Sequence, residues 1–322
     1  MTAVRNRADG GDGEERERRD GRSHPTWLPA ALLVATVLTL GFNWPLLAIG
    51  LEEISPLWLS TMRLAGATLV IFGVAASRGS LRRPPRADLP VLVSVAFGRL
   101  IMVMVLVFIA LRFVPPGRSS VLVWTSSLWT VPMAVAVLGE HMNARRWVGL
   151  GLGIAGIVVM VEPWEAAIGS QVLVGYGLLI AAAVFQAATA VHVRHHRWLS
   201  TPIELLPWQL VAAVVPLFAV TSALEGTPSI AWRPGLVAIV VYQGALATGF
   251  AMWAQLTVLR LLPAITTNLS LMMVPVLGFV SSVVVVGERV TVPALVATVL
   301  IGAGVLLGVG LGRVPASPPP LR

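Results

Sequence analysis

LRFVPPGRSSVLVWTSSLWTVPMAVAVLGE, residues 111–140, and LRLLPAITTNLSLMMVPVLGFVSSVVVVGE, residues 259–288, carry one pattern twice. A shift of 148 lays Leu111-Arg112-x-x-Pro115 on Leu259-Arg260-x-x-Pro263 and, without a gap, Gly139-Glu140 on Gly287-Glu288 and Gly156 on Gly304. A neighbouring shift of 146 lays Ser55-Pro56 on Thr201-Pro202 and Leu64 on Leu210. The chain reads as a duplicated unit, and its apolar content says what the unit is made of.

A membrane span needs about 20 apolar residues at ~1.5 Å rise each. Runs of that kind lie near 27–49, 56–77, 89–111, 117–138, 146–162, 172–193, 205–224, 236–257, 264–286 and 291–312. Of the 322 residues, 56% are hydrophobic and only 12% charged, against roughly a quarter charged in a soluble domain. The expected fold class is an all-α membrane protein of ten transmembrane helices, arranged as two inverted five-helix repeats. An odd number of spans per unit turns the second copy upside down relative to the first. That architecture belongs to secondary transporters, with the substrate site near the midplane between the halves. The expected organisation is a disordered cytoplasmic tail over 1–26, a first repeat over 27–162, a second over 172–312 and a short cytoplasmic tail over 313–322.

The polar residues set the orientation. The chain has 23 Arg and no Lys against 15 acidic residues, a formal charge of +8. These cations sit in short loops between apolar runs rather than on one patch, which argues for the positive-inside pattern and against a nucleic-acid partner. With the N-terminus cytoplasmic, 17 Arg fall inside and four (Arg112, Arg118, Arg233 and Arg289) outside, so both termini are expected in the cytoplasm of a cell membrane. The stretch GDGEERERRDGR before the first span is too polar to fold alone. The first apolar run is longer than a signal-peptide core, so no cleavable leader is expected. With no Cys, thiolate metal sites and cysteine nucleophiles are excluded. With no Lys there is no phosphate-binding loop, so transport would use a gradient or exchange rather than ATP. No Asp or Glu falls in the middle of a span, and no cofactor is expected.

Gly41-Phe42-Asn43-Trp44 in the first span, Ser55-Pro56 followed by Arg63 in the second, and the helix pairs ending in Gly139-Glu140 and Gly287-Glu288 together resemble the EamA family of the drug/metabolite transporter superfamily. The resemblance covers about residues 27–312; the Trp that the family carries before Gly41 is Leu40 here, with Trp44 following. It implies a five-plus-five helical exporter or exchanger of small metabolites, amino-acid-like or drug-like. It also implies a central cavity lined mainly by helices one, three, four, six, eight and nine.

Arg99 lies about ten residues into the third span. A cation at that depth costs roughly 3 kcal/mol, so it should face the bundle interior, as an anchor for a substrate carboxylate or phosphate or as a structural cation. Arg63 and its counterpart Gln209 read as an interhelical pair, with Arg63 near enough to a membrane surface to snorkel. Glu140 and Glu288 read as carboxylates that bond the N-terminus of the helix after each of them. Ser119 and Ser120, which align with Thr267 and Asn268, are polar groups that either glue helices or line a wet cavity. Asn43, Trp44, Gln186, Tyr242, Gln243 and Trp253 belong with them as cavity candidates, with Trp124 and Met272 as apolar walls. His192 and His196 have the spacing of a helical metal pair, but Arg194 and Arg197 beside them favour a solvated basic edge, and no metal is expected. Gly149-x3-Gly153 and Gly304-x3-Gly308 are faces for close helix packing, within the chain or in a homodimer. The rival readings are a membrane-embedded enzyme acting on lipid-linked substrates and a passive channel; neither has the convergent acid–base groups or charged pore ring it would need.

Overall fold

The computed structural model describes residues 27–139, 143–162, 169–196, 198–228, 230–262, 267 and 270–309. Eight helices are long and apolar enough to cross a membrane: α1 (Leu28–Glu53), α2 (Pro56–Ser77), α3 (Arg86–Ala110), α4 (Pro116–Leu138), α5 (Ala144–Val161), α6 (Ser170–His195), α7 (Pro202–Glu225) and α8 (Pro234–Val258). Two shorter apolar helices follow, α9 (Met273–Val286) and α10 (Val292–Leu307). Ten spans were expected; among the described residues α9 and α10 are shorter than a span, and residues 263–266 and 268–269 before α9 lie outside them.

Local chemistry sets the helix ends. Proline opens α2, α4, α7 and α8, where its missing N–H costs no hydrogen bond. Thr201 and Glu204 form a capping box at the start of α7. Gly139 and Gly287 close α4 and α9 with φ of +66° and +67°, a left-handed conformation that a side chain would strain. These two caps are repeat counterparts.

Large apolar side chains cover the outside of the bundle, among them Leu69 at 76% exposure, Val284 at 77% and Val299 at 70%. Such a surface is unfavourable in water and neutral in hydrocarbon, so the helices belong in a bilayer. Inside, α1 packs on α9 as α6 packs on α4, α2 on α8 as α7 on α3, and α8 on α1 as α3 on α6. The pairs α2·α7, α4·α9 and α5·α10 each join a helix to its own counterpart. The helix pairing is therefore two-fold pseudo-symmetric. Between α5 and α10 the backbones touch: a Cβ on Gly304 would lie 2.6 Å from the Gly149 carbonyl oxygen and 2.7 Å from the Gly153 nitrogen. The glycine stripes named above are thus engaged within the chain.

Both repeats carry the same irregularity at the same register. Residues Ser94–Met102 of α3 and Tyr242–Phe250 of α8 are π-helical, 148 positions apart. A π-turn widens the helix and rotates the following side chains, and such segments concentrate at functional sites. The inner helix α4 is also interrupted, by a turn at Thr125 whose N–H and hydroxyl both bond Leu122 O.

Candidate functional site

A cavity of about 330 Å³ lies between the two halves. Its wall comes from α1 (Leu40, Asn43, Trp44), α3 (Arg99, Val103, Phe108), α4 (Val123, Trp124), α6 (Gln186), α8 (Thr248, Met252, Gln255) and the α9 region (Leu271, Val274), with Arg63 of α2 added. The polar groups in this wall differ sharply in how far they are satisfied.

Arg63 is 8% exposed and donates four hydrogen bonds to protein acceptors. Its Nε donates to Thr248 Oγ1 at 2.6 Å, Nη1 donates to Asn43 Oδ1 at 2.9 Å and Gln243 Oε1 at 2.6 Å, and Nη2 donates to the Ala247 carbonyl at 3.3 Å. Gln243 in turn donates to the Asn43 carbonyl, and the guanidinium carbon lies 5.9 Å from the Phe108 ring centre. The expectation of a snorkelling Arg63 is corrected here: the π-segment of α8 turns Gln243, Ala247 and Thr248 toward it, so protein groups rather than water satisfy the cation. The crossing of α2 with α8 permits this, because Gly66 and Gly244 meet there; a Cβ on Gly244 would stand 2.9 Å from Gly66 Cα.

Arg99 is the opposite case. It sits in the π-segment of α3, is exposed to the cavity, and makes no hydrogen bond or ion pair with the described residues. It also lines a second, smaller cavity of about 120 Å³ with Val95, Trp198, Leu206, Gln209, Met252 and Gln255. As repeat counterparts, Arg63 and Gln209 sit at equivalent crossings, Arg63 where α2 meets α8 and Gln209 where α7 meets α3. Gln209 is 5% exposed.

The other candidates divide between cavity and scaffold. Asn43, Trp44, Trp124 and Gln186 face the central cavity, and Gln186 Nε2 also donates to Ser126 Oγ at 3.0 Å. Gln243 is wholly buried in the Arg63 network. Ser119 donates to the Pro115 carbonyl at 2.9 Å, and Ser120 donates to Gly117 O at 2.6 Å and across to Pro275 O at 3.3 Å, so both hold helices rather than line the cavity. Tyr242 donates to Thr39 O at 2.7 Å, binding α8 to α1. Trp253 packs against Phe250 and the α3–α7 core. Met272 lines a separate apolar groove of about 270 Å³ between α4, α9 and α10, where Trp124 is its neighbour. Asn268 and Glu140 lie outside the described residues.

Glu288 bonds a helix N-terminus, but not that of the helix after it. Its carboxylate accepts from Gly117 N at 2.7 Å and Arg118 N at 3.2 Å, capping α4 of the other half. The connection from α9 to α10 carries it back across α4, which sequence order does not reveal. Burial pushes its carboxyl pKa up, against the backbone N–H groups of Gly117 and Arg118 and the Arg118 charge, which pull it down. At the opposite end of the bundle, where the arginine-rich loops lie, Asp88 accepts from His196 at 2.9 Å and from the backbone N–H of Leu199 and Ser200. His196 is thus engaged with a carboxylate, and no group of three metal-ligating side chains occurs among the described residues.

Sequence reasoning missed Thr248 and Gln255. The spacing Thr248, Met252, Gln255 is a helical stripe of one polar face in an apolar span, a signal that was available.

The model of the EamA-like transporter family matches residues 27–162 and 173–309. A relative from Streptantibioticus cattleyicolor, named "Probable terminal-alkyne amino-acid exporter", is 30% identical over 289 residues, spanning 85% of this chain and 91% of its own. A "Probable amino-acid metabolite efflux pump" of Salmonella typhimurium is 28% identical over 303 residues, 87% of this chain and 93% of its own. A solved crystal structure shares the fold with a TM-score of 0.60 at 22% identity, covering 86% of this chain and 95% of that one.

Proposed function

Because the chain belongs to the EamA-like transporter family, a family of multi-pass membrane transporters, we propose that it is a secondary exporter or exchanger of small amino-acid-like metabolites, held by a carboxylate on Arg99. Two inverted five-helix repeats, ten spans in all with both termini cytoplasmic, alternate access to the central cavity. One observation carries the substrate reading: a guanidinium with no partner among the described residues faces a cavity between the halves. A cation in the bilayer interior is costly unless something compensates it, and a planar fork of donors suits a carboxylate. Trp44, Trp124 and Gln186 bound the rest of the ligand. The names of the Streptantibioticus and Salmonella relatives support an amino-acid-like cargo.

The test is flux in proteoliposomes, with a panel of radiolabelled amino acids as probes. A carrier gives saturable flux accelerated by unlabelled probe on the far side; linear, unaccelerated flux would overturn the reading in favour of a channel. Arg99→Ala should lower carrier flux at least tenfold with membrane insertion unchanged, and Arg99→Lys should restore part of it. Unchanged kinetics in Arg99→Ala would remove the anchor. Reporter fusions at both termini should read cytoplasmic, and a periplasmic C-terminus would break the ten-span topology.

A further inference from the structure

Three polar side chains border the smaller cavity without a hydrogen-bonding partner among the described residues: Arg99, Gln209 and Gln255. Gln209 is the most telling. It is only 5% exposed, it borders the cavity, and its side chain makes no hydrogen bond with the described residues. Trp198 supplies a flat wall, its own Nε1 already donating to Val193 O at 3.2 Å. The cavity lies toward the arginine-rich end, between the last turn of α6, the first turns of α7 and the π-segment of α3. It touches the central cavity through the shared residues Arg99, Met252 and Gln255.

We propose that this smaller cavity is a loading site for the anionic group of the substrate, distinct from the central site and reached from the arginine-rich end. The proposal rests on the transporter reading above and adds where the cargo first binds. Four acceptors take up most of the Arg63 donors, whereas Arg99 has none of its donors engaged among the described residues and is the cation that borders both cavities. A single guanidinium cannot hold an anion in both cavities at once. The substrate therefore binds first between Arg99, Gln209 and Gln255, and passes to the centre around the same side chain. The amides of Gln209 and Gln255 offer carbonyl oxygens as well as N–H donors, so the favoured ligand is a small carboxylate bearing a hydrogen-bond donor close by.

The chain lacks cysteine, so a single introduced thiol is labelled without background. In Gln209→Cys protein reconstituted in phosphatidylcholine vesicles, the anionic thiol reagent 2-sulfonatoethyl methanethiosulfonate should react at least tenfold faster than its trimethylammonium analogue, after correction for their intrinsic rates. Adding Arg99→Met should erase that preference. Trp198→Cys is the second labelling position, should Gln209→Cys not fold. Equal rates for the two reagents, or a preference that survives Arg99→Met, would overturn the loading site. Failure here leaves flux through the central site untouched, whereas failure of the transporter reading shows as linear flux that unlabelled probe does not accelerate, so the two are separable.

Discussion

Two helix crossings in this bundle occupy the same place in their repeats and end in opposite conditions. Where α2 crosses the π-segment of α8, Gly66 faces Gly244, the backbones touch, and Arg63 is closed in by Asn43, Gln243, Ala247 and Thr248. Where α7 crosses the π-segment of α3, the counterparts are Ala212 and Ala96, and Gln209 stands where Arg63 would be. Beside that crossing lies the smaller cavity with Arg99, which has no hydrogen-bonding partner among the described residues. The cation has moved from one helix of the crossing to the other, and with it from scaffold to ligand site. The two crossings thus differ in glycine against alanine and in which helix carries the arginine.

The largest effect that would break this contrast is on stability. Arg63→Met leaves three buried polar side chains facing an apolar group and should destabilise by about 3–5 kcal/mol, as breaking other buried charge networks does. The midpoint of thermal unfolding in detergent should fall by several degrees. Arg99→Met removes no hydrogen bond among the described residues and should leave that midpoint within error while flux collapses. If both variants destabilise alike, Arg99 is scaffold and the two crossings are equivalent.

A smaller effect tests the glycines. Gly244→Ala drives a methyl toward Gly66 Cα at 2.9 Å, and overpacking of this kind costs about 1–3 kcal/mol. The matching change, Ala96→Gly in α3, relieves contact instead and should cost only about 0.5–1 kcal/mol from helix propensity. Unfolding midpoints of the two variants, measured side by side, should separate in that order. Equal losses would mean that backbone approach does not distinguish the crossings.

Much of this arrangement was legible before the structure. Arg99 declared itself as a cation deep in a span, and the repeat register lined up the caps Gly139 and Gly287 that close α4 and α9. Arg63 and its counterpart Gln209 read as polar groups with a structural, interhelical role, with Arg63 near enough to a membrane surface to snorkel. The true environment of Arg63 depends on three side chains from α1 and α8 that only the fold assembles. The π-segments have no periodicity of their own in the sequence, so the rotation that turns Gln243, Ala247 and Thr248 toward Arg63 has no sequence signal, although the helical spacing of Thr248 and Gln255 does. The smaller cavity was hidden too. Its lining comes from α3, α6, α7, α8 and the stretch before α7, which only the fold brings together.

The smallest effect concerns Glu288, which ties α4 to the second half at the same end as Arg63 and so belongs to the sealed side of the comparison. Burial raises its carboxyl pKa above that of the unfolded chain, more than the two backbone N–H groups and Arg118 lower it. Such a carboxyl binds its proton more readily in the folded state, so its contribution to stability is fully present below the unfolded-state pKa and is lost as pH rises through the folded-state value. Glu288→Gln has no proton to exchange. Near neutral pH the wild type carries the desolvated charge but also the charge-assisted cap, and the two variants should lie within about 1 kcal/mol of each other. Lowering the pH toward 4 should stabilise the wild type relative to Glu288→Gln, seen as a widening difference in unfolding midpoint. A difference that shrinks or reverses on acidification would mean that the helix-end charge outweighs burial, and that the seal is held by a carboxylate the protein needs ionised.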